Sequence, residues 1–234
     1  MVRKTFRLLK DNVRLLIPLF VVTLVVTVAV VGLPDGFNEA KGVLATLPLV
    51  MVWLTTIFFL RNSMAGEKVS FFDGIYKAMA PLNSTLVVLV VAIIECLPIA
   101  ILVIAYSAAV ETHFLETFGY AVAFVIFALL MVGATGFLLT STLVALAAVS
   151  APGLYPLAAM RMATELTRGR RMRMMGRLMA LVVMVAAFGA VILLPLYNFA
   201  PAWVVSGGTM AVGIVVTIFS AAYLYVNYRE LIDE

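Results

Sequence analysis

The sequence predicts an all-α fold: a polytopic membrane helix bundle of six transmembrane helices, with short amphipathic helices on one surface. Three observations predict it. Hydrophobic residues make up 65% of the 234 residues and charged residues only 12%, against about 45–50% and about 25% in soluble domains. The apolar residues form long runs, and the basic residues are confined to alternate connections between them. Residues 1–234 are therefore expected to form a single integral membrane domain.

Six apolar runs are long enough to cross a membrane as helices, which takes roughly 17–25 residues. Apolar character in the fourth run continues to Val149, and the run contains no turn signal, so we expect one long helix there rather than two crossings. The predicted spans are Leu15–Leu33, Val43–Leu60, Leu86–Tyr106, Phe118 to about Leu139, Leu178–Tyr197 and Ala202–Val226.

The basic residues predict the orientation. Fifteen of the sixteen lie before the first span, in the second-to-third and fourth-to-fifth connections, or after the last span, and Lys41 alone lies on the other side. The positive-inside rule makes the crowded side cytoplasmic, with both termini inside, and a prokaryotic cytoplasmic membrane is the expected location. The first run is longer than a signal-peptide core and no A-x-A site follows it, so we expect a retained span.

Three stretches before outward-going spans predict short surface helices, so the chain divides into three similar units. Ser70 and Asp73 form a capping-box pattern in the second, while Pro156 begins the third and Gly169 ends it. The first has basic residues along one face, namely Arg3, Arg7, Lys10 and Arg14. The predicted apolar stripes are Val2, Phe6, Leu9, Val13 and Leu16; Phe71, Ile75, Ala78 and Leu82; and Leu154, Ala158, Met162 and Leu166.

The third surface helix continues as A-x-x-x-A-x-E-L-T-R-G-R-R from Ala159 to Arg171, after a stretch ending S-A-P. With the opening T-F-R-L-L-K-D-N-V-R-L-L from Thr5 to Leu16, it resembles the six-span membrane domain that precedes the catalytic domain of some glycerophosphodiester phosphodiesterases, and its standalone bacterial and archaeal relatives. The resemblance implies a membrane module that faces lipids or assists assembly. Ala163 departs from the Ser or Cys of that family, and no phosphodiesterase domain follows, so no enzymatic activity is implied.

Glu95 is the acidic residue placed at bilayer depth, near the midpoint of the third span. A central charge costs roughly 2.5–3.5 kcal/mol on insertion scales, which makes Glu95 a candidate intramembrane functional residue, a proton or cation site. The alternative is a protonated, structural glutamic acid, since desolvation favours the neutral form. Its expected partners are Thr135, Thr140, Ser141 and Thr142 on the fourth span, or Tyr197 and Asn198 at the end of the fifth.

The most concentrated charge in the chain follows the third surface helix, where arginines alternate with methionines. Basic residues near an anionic membrane surface contribute about 1 kcal/mol each, so the cluster predicts contact with anionic lipid headgroups, unless it serves only to fix topology. The candidate contacts are Arg168, Arg170, Arg171, Arg173 and Arg177.

Other site chemistry is not expected. The single Cys96 cannot form a disulfide within the chain, and His113, beside Glu111 and Glu116, lacks the further ligands that a metal site needs. The small-residue patterns G-A-T-G (Gly133–Gly136) and S-G-G-T (Ser206–Thr209) suit close helix packing. We therefore expect no catalytic residues, no metal and no cofactor, and no nucleic-acid partner, because the membrane accounts for the basic residues.

The expected function is that of a non-enzymatic integral membrane protein acting through lipids or a partner protein. The alternative is a small transporter, or the permease subunit of an exporter with an ATPase partner, in which Glu95 serves as the coupling or substrate residue.

Overall fold

A computed structural model describes residues 1–34, 38–113, 116–150 and 153–233 of the chain. The described residues form helices and connecting turns with no strand, which confirms the all-α prediction. The helices are α1 (Val2–Asp11), α2 (Val13–Val31), α3 (Asn38–Met64), α4 (Phe71–Ala78), α5 (Leu82–Glu95), α6 (Leu97–Glu111), α7 (Phe118–Ala148), α8 (Pro156–Thr167), α9 (Arg171–Phe199) and α10 (Ala202–Asp233).

Six helical segments of the described chain are long and apolar enough to cross a membrane, as predicted, and they define a multi-pass membrane protein. The longest apolar run is indeed one helix, α7, which extends from Phe118 to Ala148. Most segments exceed the predicted spans by a turn or more at one end. The six are Val13–Val31, Leu44–Met64, Leu82–Glu111, Phe118–Ala148, Arg171–Phe199 and Ala202–Asp233.

The third span was predicted to be continuous, but it breaks at Cys96 into α5 and α6. Pro98 in the first turn of α6 explains the break. Proline has no backbone N–H to donate to the carbonyl four residues earlier, and its ring clashes with that carbonyl. Glu95 is therefore the last residue of a helix rather than the middle of one.

All three predicted surface helices are present, as α1, α4 and α8. Gly169 adopts φ +77°, a left-handed conformation that suits glycine, and terminates the α8 region as predicted. Ser70 precedes α4, but its side chain makes no capping hydrogen bond. The apolar stripe predicted for α8 is confirmed in part: Met162 and Leu166 are half-buried against the core, but Ala158 is exposed. The fully buried residues of α8 are Ala159, Ala163 and Thr167. Small side chains suit this face because they let α8 approach α7 closely.

The three units are linked in a ring. Each consists of a surface helix, a span that leads away from that helix and a return span, and each surface helix packs on the return span of the preceding unit. Thus α4 packs on α3, α8 packs on α7, and α1 closes the ring by packing on α10. All three surface helices lie at the end of the bundle that carries both termini. We call it the basic end, because the connections there hold nearly all the Lys and Arg residues.

The core occupies the half of the bundle nearest the basic end. The last turns of α7 and α10 are buried there among α3, α5, α8 and α9, and their central members include Val144, Ala145, Ala221 and Tyr225. By contrast, α6 and the first half of α7 expose most of their apolar side chains. In a membrane protein such surfaces face lipid tails, which are as apolar as leucine.

The predicted small-residue contacts are present in part. A Cβ atom on Gly136 would lie 3.4 Å from Met175 of α9, and one on Gly208 would lie 2.6 Å from Leu196. A side chain at Gly208 would therefore require Leu196 to move, whereas one at Gly136 would make only an ordinary contact with Met175. Gly133, Gly207 and Gly213 have open space around them.

Candidate functional site

Glu95 ends α5 on the helix face that packs against α7. The buried residues of α5 are Thr85, Val88 and Ala92, and Glu95 continues this series at the next helical position. Its Oε2 atom is buried and has no hydrogen-bond partner among the described residues. A buried polar atom without a partner is rare in native structures and marks a site that a ligand, water or proton can satisfy.

Four of the six side chains predicted to pair with Glu95 bond to their own helices instead. The rings of Tyr106 and Phe124 are 6.1 Å apart, in segments that run antiparallel. Glu95 lies eleven residues before Tyr106, and Thr135 lies eleven residues after Phe124, so the two are at about the same level. The Thr135 hydroxyl donates to the carbonyl of Met131 at 3.0 Å. Thr140, Ser141 and Asn198 likewise donate to carbonyls of their own helices, Thr142 is buried, and Tyr197 is exposed.

The arginine cluster divides into two environments. Arg177 is held by α10, because its Nη1 lies 3.2 Å from Oδ1 of Asn227 and its Nη2 lies 3.3 Å from Oε2 of Glu230. The guanidinium of Arg171 lies over the Phe137 ring, 4.6 Å from its centroid. Arg168 and Arg173 are exposed, and Arg170 is half-buried. Four members thus lie at the surface of the basic end, whereas Arg177 serves the packing of α9 on α10.

A hydrogen-bond network joins α1, α9 and α10 around Arg177. Besides accepting from Arg177, Asn227 donates to the carbonyl of Tyr223 at 3.0 Å, and the Tyr223 hydroxyl donates to the Arg177 carbonyl at 3.0 Å. Lys4 of α1 bonds to the other carboxylate oxygen of Glu230 at 3.1 Å. Asn227 is fully buried. The sequence analysis placed Arg177 correctly at the basic end, but nothing local predicted that its partners lie fifty residues further along the chain.

A partly open cavity of about 450 Å³, which we call the central cavity, lies between α3, α5, α7, α9 and α10. Among the described residues α3 makes little contact with α5 or α7. Half of the residues that line the cavity are leucines, and polar groups come from α3, α5 and α10. The polar lining residues are Thr46, Trp53, Thr85, Thr217 and Ser220.

Trp53 lines the central cavity and carries a hydrogen-bond donor without a partner among the described residues. This donor, its indole Nε1, is buried, and the hydroxyls of Thr55 and Thr56, two and three residues further along α3, are likewise buried without a partner there. A buried tryptophan N–H usually finds a partner. The sequence analysis missed this cavity. The sequence feature that could have indicated it is W-L-T-T at Trp53–Thr56, which places polar groups in the middle of a span.

Glu95 does not line the central cavity. The lining residue of α5 nearest to it is Leu89, and six helical residues separate the two by about 9 Å. The two features are therefore distinct.

His113 lies outside the spans, in the connection from α6 to α7. Its Nδ1 lies 2.7 Å from a carboxylate oxygen of Glu116, and its φ of 54° places it in the left-handed region. No group of three or more potential metal ligands occurs among the described residues.

The fold and these sites together define a six-span α-helical membrane protein with a basic end built from surface helices. No protein-family model, curated protein or solved structure matches the chain.

Proposed function

We propose that the protein is a non-enzymatic multi-pass membrane protein that acts by binding anionic membrane lipids, and through them or directly a partner protein. The observation that carries this proposal is the basic end. Three surface helices lie there in a ring, and the surface members of the arginine cluster adjoin the third of them. Anionic headgroups attract such side chains with about 1 kcal/mol each.

The proposal includes a location. With fifteen of sixteen basic residues at one end, the positive-inside rule supports a cytoplasmic basic end in a prokaryotic cytoplasmic membrane, with both termini inside. The resemblance of Ala159–Arg171 to the membrane domain of glycerophosphodiester phosphodiesterases agrees with a role among lipids.

Neutralising the arginine cluster is expected to weaken anionic-lipid binding. The variant R170Q/R171Q/R173Q removes three charges that each contribute about 1 kcal/mol, so phosphatidylglycerol should dissociate from the purified protein about tenfold to hundredfold more readily. Native mass spectrometry of the protein with added lipid measures this. Phosphatidylcholine is the control lipid, and its binding should change little. Unchanged retention of phosphatidylglycerol would count against the proposal.

Transport, alone or as the permease subunit of an ATPase-driven exporter, is the second candidate function. It is favoured by the buried Oε2 of Glu95 at the α5–α6 break, which has no partner in the described part of the chain, since ionisable groups inside a membrane are costly and are usually retained for function. The central cavity, which Trp53 lines, offers a place for a substrate.

Glu95 variants test the transport candidate. If Glu95 carries protons, E95Q and E95A should both abolish proton flux into vesicles that contain the protein and a pH-sensitive dye, because neither side chain can release a proton. The control is E111Q, which removes an exposed carboxylate from the end of the same span. Flux that persists in both Glu95 variants, or that was never above that of protein-free vesicles, would remove the main support for transport.

A further inference from the structure

An apolar groove of about 350 Å³ runs between α9 and α10. Phe6 of α1 lines the groove on the side nearest the basic end of the bundle. The Phe6 ring lies 5.5 Å from the ring of Phe219. Phe188 and Val215, which also line the groove, are exposed, so the groove is open to the surrounding lipid. Apart from Phe6, its lining residues lie within two membrane spans. The groove is therefore placed where acyl chains run.

A basic depression adjoins this groove on α1. Arg3, Arg7 and Lys10 line it together with Phe6, and all three basic residues are exposed. Their spacing of four and three residues places them on one face of the helix. Lys4 and Asp11 complete the lining, and Lys4 is paired with Glu230. Three cations against one carboxylate leave the depression positive.

We propose that the groove and the depression form one binding site for a single anionic phospholipid of the leaflet at the basic end. The phosphate lies against Arg3, Arg7 and Lys10, and one acyl chain passes Phe6 into the groove between α9 and α10. The inference rests on the proposed lipid-binding function and assigns it to a defined site, separate from the arginine cluster.

The combination of the two parts selects the ligand. An apolar groove alone accepts any hydrocarbon chain, and a basic row alone attracts any anion, including free phosphate. Phe6 belongs to both linings, so the two are continuous at the boundary between the headgroup and acyl regions. A ligand that fills both must carry a negative charge next to an alkyl chain, as an anionic phospholipid does.

Native mass spectrometry of the full-length protein in detergent tests the site with phosphatidylglycerol as the probe. The wild type should bind one phosphatidylglycerol more tightly than phosphatidylcholine of the same chains, and inorganic phosphate should not displace it. The variant R3Q/R7Q/K10Q should weaken phosphatidylglycerol binding about tenfold to hundredfold. The variant A187F places a ring in the groove from an exposed position. It should weaken the binding of both phosphatidylglycerol and phosphatidylcholine.

Matched controls are available for both variants. K68Q/K77Q/R161Q removes three exposed charges elsewhere at the basic end, and A186F adds the same ring to an exposed neighbouring position on α9 that does not line the groove. Both should bind phosphatidylglycerol as the wild type does.

The results separate this site from the general proposal. Phosphatidylglycerol binding within twofold of wild type in both R3Q/R7Q/K10Q and A187F overturns the site. Displacement by inorganic phosphate, with no effect of A187F, overturns it in favour of a plain anion site. If the α1 variant still binds but R170Q/R171Q/R173Q does not, the site is wrong and the proposed function stands. If neither R3Q/R7Q/K10Q nor R170Q/R171Q/R173Q affects phosphatidylglycerol binding, both the site and the proposed lipid-binding function are wrong.

Discussion

Replacing Ala163 with leucine is expected to lower the thermal midpoint of the purified protein by several degrees. Ala163 and Ala159 are fully buried on the face of α8 that packs against α7, and the Thr167 hydroxyl donates to the Ala163 carbonyl on the same face. Three extra carbons cannot fit there unless α8 moves away. Overpacking of this kind costs about 1–3 kcal/mol. Intrinsic tryptophan fluorescence during heating in detergent measures the midpoint.

The control for this experiment is A158L. It adds the same atoms one position earlier on α8, where the side chain is exposed, so the expected change is within about 0.5 kcal/mol. Equal shifts in A163L and A158L would show that α8 does not dock through its small-residue face. The comparison also tests the stripe predicted from sequence, which placed Ala158 on the buried face.

The sequence predicted the elements well because their signals are local. Apolar length marks the six spans, and the distribution of Lys and Arg sets the order of outer and basic connections. The surface helices follow from helical periodicity with Pro156 and Gly169 at the boundaries of the third. The signal for the break at Cys96 was equally local, because Pro98 disfavours a continuous helix there. It was missed because hydropathy continues through the break.

The pairing of helices could not be predicted in this way. The packing of α1 on α10, which closes the ring, joins two segments at opposite ends of the chain. No local signal in either segment identifies the other. On α8 the sequence placed Met162 and Leu166 correctly against the core. It was wrong for Ala158, because hydrophobicity does not mark the small residues Ala159 and Ala163 that close packing favours.

The candidate site shows the same division. Glu95 could be identified from sequence because a carboxylate within an apolar run is conspicuous by itself. The central cavity could not, since it exists only where α3 stands apart from α5 and α7. Arg177 could be assigned to the basic end but not to its partner Asn227, which the sequence analysis left unmentioned.

Asn227 and Arg177 are expected to depend on each other. In N227L, Nη1 of Arg177 loses its acceptor at 3.2 Å and the Tyr223 carbonyl loses a donor. Hydrogen bonds to charged groups contribute about 1.5–3 kcal/mol, so we expect a loss of about 2 kcal/mol in the free energy of unfolding. R177M should cost a similar amount, because buried Asn227 loses its donor and partly buried Glu230 keeps only its bond to the exposed Lys4.

The double variant N227L/R177M should be less destabilised than the sum of the two single variants by about 1–2 kcal/mol, because replacing both partners by apolar groups leaves fewer polar atoms unsatisfied. Denaturant unfolding in detergent measures each free energy. The control cycle is N227L with K4M: Lys4 is exposed and bonds to Glu230 rather than to Asn227, and exposed ion pairs contribute only about 0–1 kcal/mol, so these two changes should be nearly additive. Additivity in the Arg177 cycle as well would mean that the hydrogen bond between Arg177 and Asn227 contributes nothing measurable to stability.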